Sequence, residues 1–313
     1  MTDTSPDGTP RATSVVDPQT EIATLEAKPS QRSRFARNRS LNRTRWWIYA
    51  FLILFMLLSI FPFYWMIVVA SNDTASMNNI PPKLTPGPNF WDHARQVFED
   101  GKFLRSLINS FVVATSIAVA QVFFATLAGF AFAKMKFPFR NLLFYIVVGT
   151  MMVPLQLGVI PQFMLISNLG WVNSLRALIV PGMVSAFGVF WMRQYIDGSV
   201  PDELLQAAKV DGASIWRQYW NIVVPMVRPA AAVLGLFAFM AAWNDFFWPL
   251  IVLNSPDSFT VQVALRQLQN TAYVTDFGVQ FAGIVIATIP LILIFVFLGK
   301  QLIGGIMDGA LKS

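Results

Sequence analysis

SLINSFVVATSIAVAQVFFATLAGFAFA, residues 106–133, carries no charged side chain and is followed at once by Lys134, Lys136 and Arg140. A hydrocarbon core about 30 Å thick takes roughly 20 apolar residues to cross as a helix, so this run is long enough to span a bilayer. The basic cluster behind it predicts a cytoplasmic turn, because short inner loops are enriched in Lys and Arg.

Comparable runs extend from Trp46 to Ala70, Asn141 to about Ile166, Ala177 to Met192, Pro229 to about Leu253, and Phe277 to Gly299. The shortest, Ala177 to Met192, spans if the flanking Arg176 and Arg193 snorkel outward. Pro154 and Pro161 inside the third run predict a kinked helix facing protein or a water-filled pathway. The expected fold is all-α, a polytopic membrane protein with a six-helix transmembrane bundle. Continuous apolar runs argue against a closed β-barrel, where apolar residues alternate.

Composition agrees. With 55% apolar and 13% charged residues among 313, the chain is too apolar for an ordinary soluble domain. Its net charge of +6 is scattered between apolar runs and does not form a nucleic-acid patch. No cysteine and a single histidine, His93, leave thiol chemistry, zinc-finger sites and histidine triads without parts.

Residues 1–45 read as a disordered basic cytoplasmic tail, with seven basic residues and no acid between Lys28 and Arg45. A secretory signal is the rival reading, since Val68 and Ala70 resemble a cleavage site, but the run from Trp46 exceeds a signal core. The expected division is therefore a first transmembrane helix over 46–70, an extracytoplasmic loop over 71–105, a transmembrane domain over 106–303 and a cytoplasmic C-terminus over 304–313. Inner segments keep the larger share of Lys and Arg even with the tail left out, which places both termini in the cytoplasm.

The longest inner loop, 197–229, reads DGSVPDELLQAAKVDGASIWRQYWNIVVPMVRP. Pro201, Asp202 and Glu203 suit a helix start, Leu204, Ala207 and Ala208 recur at helical spacing, and Gly212 offers a left-handed stop. Ser214 suits the cap of a second helix whose Ile215, Tyr219 and Ile222 form an apolar row, with Trp216, Trp220 and Val223 beside it and Pro225 as its bound. Small residues that permit close approach, next to an aromatic row, fit a protein-docking surface. A hairpin packed under its own bundle fits the same pattern.

This loop resembles that of binding-protein-dependent ABC importer permeases, which runs Glu-Ala-Ala, three residues, Gly, then Ile-x-x-x-Pro. Gln206-Ala207-Ala208, Gly212, Ile222 and Pro225 stand at the matching positions. The resemblance extends over roughly 105–303 through NSFVVATSIAVAQVFFATLAGFAFAKMKFP from Asn109, GWVNSLRALIVP from Gly170 and WNDFFWPLIVL from Trp243. It is to the MetI-like, type I importer fold and to the second, maltose-type permease of the carbohydrate branch.

The resemblance implies that the loop fits a cleft on an ATP-binding cassette subunit, present in two copies, with Gln206, Ala207, Ala208, Asp211, Gly212, Ala213, Ile222 and Pro225 as coupling residues. It also implies a second, different permease subunit, a solute-binding protein and a sugar or sugar derivative as cargo. Gln206 departs from the family acid and cannot form its ion pair. No phosphate-binding loop is present, since Gly101-Lys102 and Gly299-Lys300 are not followed by Ser or Thr. The chain is thus expected to be no enzyme and to bind no cofactor, with ATP and Mg held by the partner ATPase. An ion-coupled secondary transporter, a permease for a non-sugar solute and a membrane enzyme are the alternatives.

Asn244 and Asp245 are candidates for lining the pathway or meeting the binding protein. An acid in an apolar run marks function by default, yet a helix begun near Pro229 puts Asp245 about 24 Å along, where a solvated cap ended by Pro249 is cheap. Trp243, Phe246, Phe247 and Trp248 fit an interfacial aromatic belt, and His93 with Asp92 and Arg95 an interfacial amphipathic segment.

Overall fold

A computed structural model describes residues 46–77, 79–99, 102–269 and 276–310, so the tail expected over 1–45 lies outside the described residues. The chain divides into two units, residues 1–61 and 62–313. The division falls within helix α1, Trp46–Ser71, at Pro62. In the first unit α1 exposes apolar side chains on every face, Phe51, Leu54, Phe55 and Leu58 among them, as a lipid-facing span does.

The second unit continues with α2 (Phe90–Glu99), α3 (Lys102–Lys134), α4 (Arg140–Thr150), α5 (Val159–Asn168), α6 (Arg176–Gly182) and α7 (Ala186–Ser199). It then runs through α8 (Asp202–Val210), α9 (Ile215–Gln218), α10 (Arg228–Asn244), α11 (Phe247–Val252), α12 (Val261–Gln269) and α13 (Phe277–Ala310). Among the described residues there is no strand. Trp46–Ser71, Lys102–Lys134, Arg176–Ser199 and Phe277–Phe297 are long and apolar enough to cross a membrane, and two bent pairs raise the count to six if each is one span.

The opening stretch forms α3, and α7 and α10 make their most extensive contacts on it. Apolar side chains gain little by leaving lipid for one another, so association in a bilayer rests on close van der Waals packing by small residues. Gly129 supplies such a contact, for a Cβ there would lie 2.9 Å from the Met192 side chain and the Arg193 backbone. Polar groups within α3 are satisfied locally or by neighbours. Thr126 Oγ1 donates to the Val122 carbonyl at 2.6 Å, and Gln121 Nε2 donates to the Gly182 carbonyl at 2.8 Å, where α6 ends.

Three predicted spans are interrupted. The third bends by 92° between α4 and Leu155–Asn168. Pro154 precedes a 3₁₀ turn, Leu155–Gly158, and Pro161 sits in the first turn of α5, where its missing N–H costs no intrahelical bond. The fourth parts between α6 and α7, and Ser185 Oγ caps the restart by accepting from Gly188 N at 3.3 Å.

The fifth ends at Asn244, not at Pro249 as expected. Asp245 leaves the helical region with ψ near 120°, and Pro249 lies inside the separate helix α11. The carboxylate then serves that next helix, accepting from Trp248 N at 3.4 Å.

His93 also departs from expectation. It is buried on the inner face of α2, with Nδ1 2.8 Å from the Ala70 carbonyl, which makes Nδ1 the donor. Gly278 passes so close that an added Cβ would meet the imidazole ring. The histidine is therefore a packing anchor.

Candidate functional site

The 197–229 loop is organised by a Schellman turn. Helix α8 ends at Val210 with Asp211 as its C-cap residue, Gly212 takes φ +80°, Gly212 N donates to Lys209 O at 3.1 Å and Ala213 N to Ala208 O at 2.9 Å. The small-residue spacing thus has a local physical cause: Gly212 is the one residue of the turn with a left-handed backbone, and the alanines flank the reversal. Ser214 Oγ then accepts from Arg217 N at 3.3 Å and starts α9, while the buried Gln218 returns its Nε2 to Ala213 O at 3.0 Å.

Of the predicted coupling residues, Gln206, Ala207, Asp211 and Gly212 are exposed, and Ala208 and Ala213 are half-buried around the same turn. Nothing lies within 4 Å of where a Gly212 Cβ would stand. Ile222 and Pro225 lie apart on the elbow that leads to α10, with Ile222 half-buried and Pro225 exposed. Val210 (88% exposed) and Trp216 (57%) extend the open apolar surface beside the turn.

Two helix faces differ from the sequence reading. In α8 the anchored side chain is Leu205, while Leu204 is exposed, so the Leu204-Ala207 face points outward. After α9 the backbone forms a π-turn, Tyr219–Val223, which inserts an extra residue into the helical repeat. The buried line becomes Tyr219, Val223 and Val227, and Ile215 is left 53% exposed.

Leu205, Tyr219, Val223 and Val227 belong to one apolar cluster with Phe130 of α3, Met192 and Ile196 of α7 and Leu234 of α10. The loop is therefore seated on the ends of three spans. Residues Ile215–Met226 lie at 78° to α10.

At the other end of α10 the helix stops between Asn244 and Asp245, and the two face different cavities. Asn244 lines one of about 650 Å³ with Gln262, Arg266 and Gln280. Asp245 lines another of about 480 Å³ between α3, the α4–α5 break and α6. Gln121, Gln156 and Gln162 share that second cavity and were missed by motif reading; carboxamides inside apolar runs are the signal that marks them.

Trp243 does not belong to an interfacial belt. It is 1% exposed, stacks on Phe239 and donates from Nε1 to the Ala287 carbonyl at 3.3 Å. Trp248 is half-buried and donates to Ala177 O at 2.9 Å.

Residues 121–306 match the family described as binding-protein-dependent transport system inner membrane component. The sn-glycerol-3-phosphate transport system permease protein UgpE of Yersinia pestis bv. Antiqua (strain Antiqua) is 31% identical over 264 residues, covering 82% of this chain and 94% of that protein. The lactose transport system permease protein LacG of Rhizobium radiobacter is 33% identical over 264 residues, covering 84% and 95%. The fold is that of a chain in the crystal structure of a bacterial ABC transporter involved in the import of the acidic polysaccharide alginate, with TM-score 0.71 and 21% identity over 87% of this chain and 98% of that one. The chain belongs to the binding-protein-dependent transport system inner membrane components and is the multi-pass permease of such an importer.

Proposed function

We propose that this chain forms half of the translocation pathway of an ATP-driven importer for a sugar or related polyol and is driven through the 201–229 loop by a separate ATP-binding cassette subunit. The carrying observation is the exposed Asp211-Gly212 turn mounted on the cluster that joins the inner ends of α3, α7 and α10. Closure of two ATPase subunits at this turn moves a lever already packed against those spans. ATP and Mg belong to that subunit, and a second, different permease supplies the other half of the pathway. Both termini are cytoplasmic in this arrangement, and a solute-binding protein delivers cargo from outside.

A small polyhydroxylated cargo is supported by two relatives named for lactose, which is neutral, and for sn-glycerol-3-phosphate, which is an anion, so the names leave the charge of the cargo open. Gln206 keeps the hydrogen-bonding reach of the family acid without its charge, so docking at this position rests on shape and neutral hydrogen bonds. Affinity isolation of the full-length chain from detergent tests the assignment. Recovery of an ATPase whose turnover rises with a solute-loaded binding protein is the expected result. Transport by the chain alone in liposomes without ATP would refute it.

A further inference from the structure

The cavity beside Asp245 has a composition that lipid does not permit. Gln121, Gln156, Gln162 and Asp245 all line it, and the carboxamides of Gln156 and Gln162 make no hydrogen bond among the described residues. Helix rise puts Gln121 about 20 Å from the Lys134 end of α3, and Gln156 lies in the 3₁₀ turn just past the bend that follows α4.

Residues 151–154 break the third span next to the cavity-lining Leu155 and Gln156, and irregular backbone inside a bilayer persists only against protein or a water-filled cavity. Discontinuous helices beside unpartnered polar groups are how transporters build solute sites near the midplane.

Charge narrows the class of ligand. Among the described residues, Asp245 is the only ionisable one lining this cavity, and no Lys, Arg or His accompanies it. Carboxamides and a carboxylate suit hydroxyl groups, which both donate and accept, and Trp248 adds an aromatic wall whose Nε1 is already committed to Ala177 O. A phosphate or uronate would bring a second negative charge towards Asp245 with no cation in the lining.

We propose that Gln121, Gln156, Gln162 and Asp245 form a solute-contact site on the pathway for neutral polyhydroxylated solutes that disfavours anionic ones. The proposal rests on the reading of the chain as half of a translocation pathway.

The chain contains no cysteine, so Gln121→Cys, Gln156→Cys and Gln162→Cys each introduce a single thiol into this subunit of the complete transporter. Against background labelling of the transporter without them, each thiol should react with a water-soluble cationic methanethiosulfonate. Leu293→Cys on the exposed face of α13 should not.

Relative to a free thiol in solution, the preference for the cationic over the anionic reagent should rise about tenfold and fall back in an Asp245→Asn background. Thiols inert to both reagents, or a preference no greater than that of the free thiol, overturn the site. Uptake of sn-glycerol-3-phosphate by the wild-type transporter overturns the solute class. ATP-coupled uptake with inert thiols refutes only this site, whereas reactive thiols in a chain that recruits no ATPase refute the permease reading instead.

Discussion

Lys134 Nζ lies 2.8 Å from Asp202 Oδ1, joining the last turn of α3 to the first turn of α8. Each charge also opposes the partial charge of its own helix end, the lysine at a C-terminus and the aspartate at an N-terminus. The lysine side chain is 7% exposed and the aspartate 66%, so solvent screens the pair from one side. Asp202→Asn is expected to cost only about 0.5 kcal/mol. Lys134→Glu sets its carboxylate against that of Asp202 and should cost more, and adding Asp202→Lys should recover part of the loss. Thermal unfolding in detergent reads all three; a double variant no more stable than Lys134→Glu alone would refute the pairing.

Gly212 separates backbone strain from docking. With φ +80° and open space around it, Gly212→Val should destabilise by about 1–2 kcal/mol through the left-handed backbone alone. Asn tolerates that region, so Gly212→Asn should keep the detergent stability of the wild type while adding a side chain to the exposed turn. ATP-coupled uptake should fall in both variants. Full uptake by Gly212→Asn would remove this residue from the docking surface.

Two other helix glycines should respond in opposite directions. Gly129→Leu forces a side chain into the α3–α7 contact, where even a Cβ stands 2.9 Å from Met192, and overpacking of this kind costs about 1–3 kcal/mol. Gly149 in α4 has nothing within 4 Å, so Gly149→Ala should be neutral or gain up to about 1 kcal/mol of helix propensity. A fluorescence-detected melting series distinguishes them, and equal shifts would contradict the packing account.

The contact between His93 and Gly278 predicts a compensating pair. Gly278→Ala alone should lower the melting temperature, since the new methyl group meets the imidazole, with a cost of about 1–3 kcal/mol. In a His93→Ala background the same change should be nearly free, because the obstructing ring is gone. A double-mutant cycle that shows simple additivity would place the cost elsewhere.

The positions of the spans were legible because transfer of apolar side chains into lipid is a property of each residue and sums along a run. The caps at Gly212 and Ser214 were legible for a related reason: left-handed backbone and hydroxyl capping are satisfied within a few residues. The buried line of the inner loop was not, because the π-turn at Tyr219–Val223 shifts the helical register, and the packing that favours it comes from α3, α7 and α10.

Trp243 read as an interfacial ring, since its sequence neighbours say nothing of the Ala287 carbonyl on α13 that receives its N–H. Asn244 and Asp245 read as one candidate, because adjacency in sequence implies adjacency in space until a helix ends between them.

The sequence by itself determined that the chain crosses a bilayer, which segments do so and where its inner loop reverses, since these follow from solvation and short-range backbone geometry. Only the tertiary structure decided that the loop is seated on three spans, that the third span turns sharply, and that Asp245 meets Gln121, Gln156 and Gln162 across one cavity. Those outcomes depend on which helix faces approach closely enough to pack, and that is settled by contacts between residues far apart in the chain.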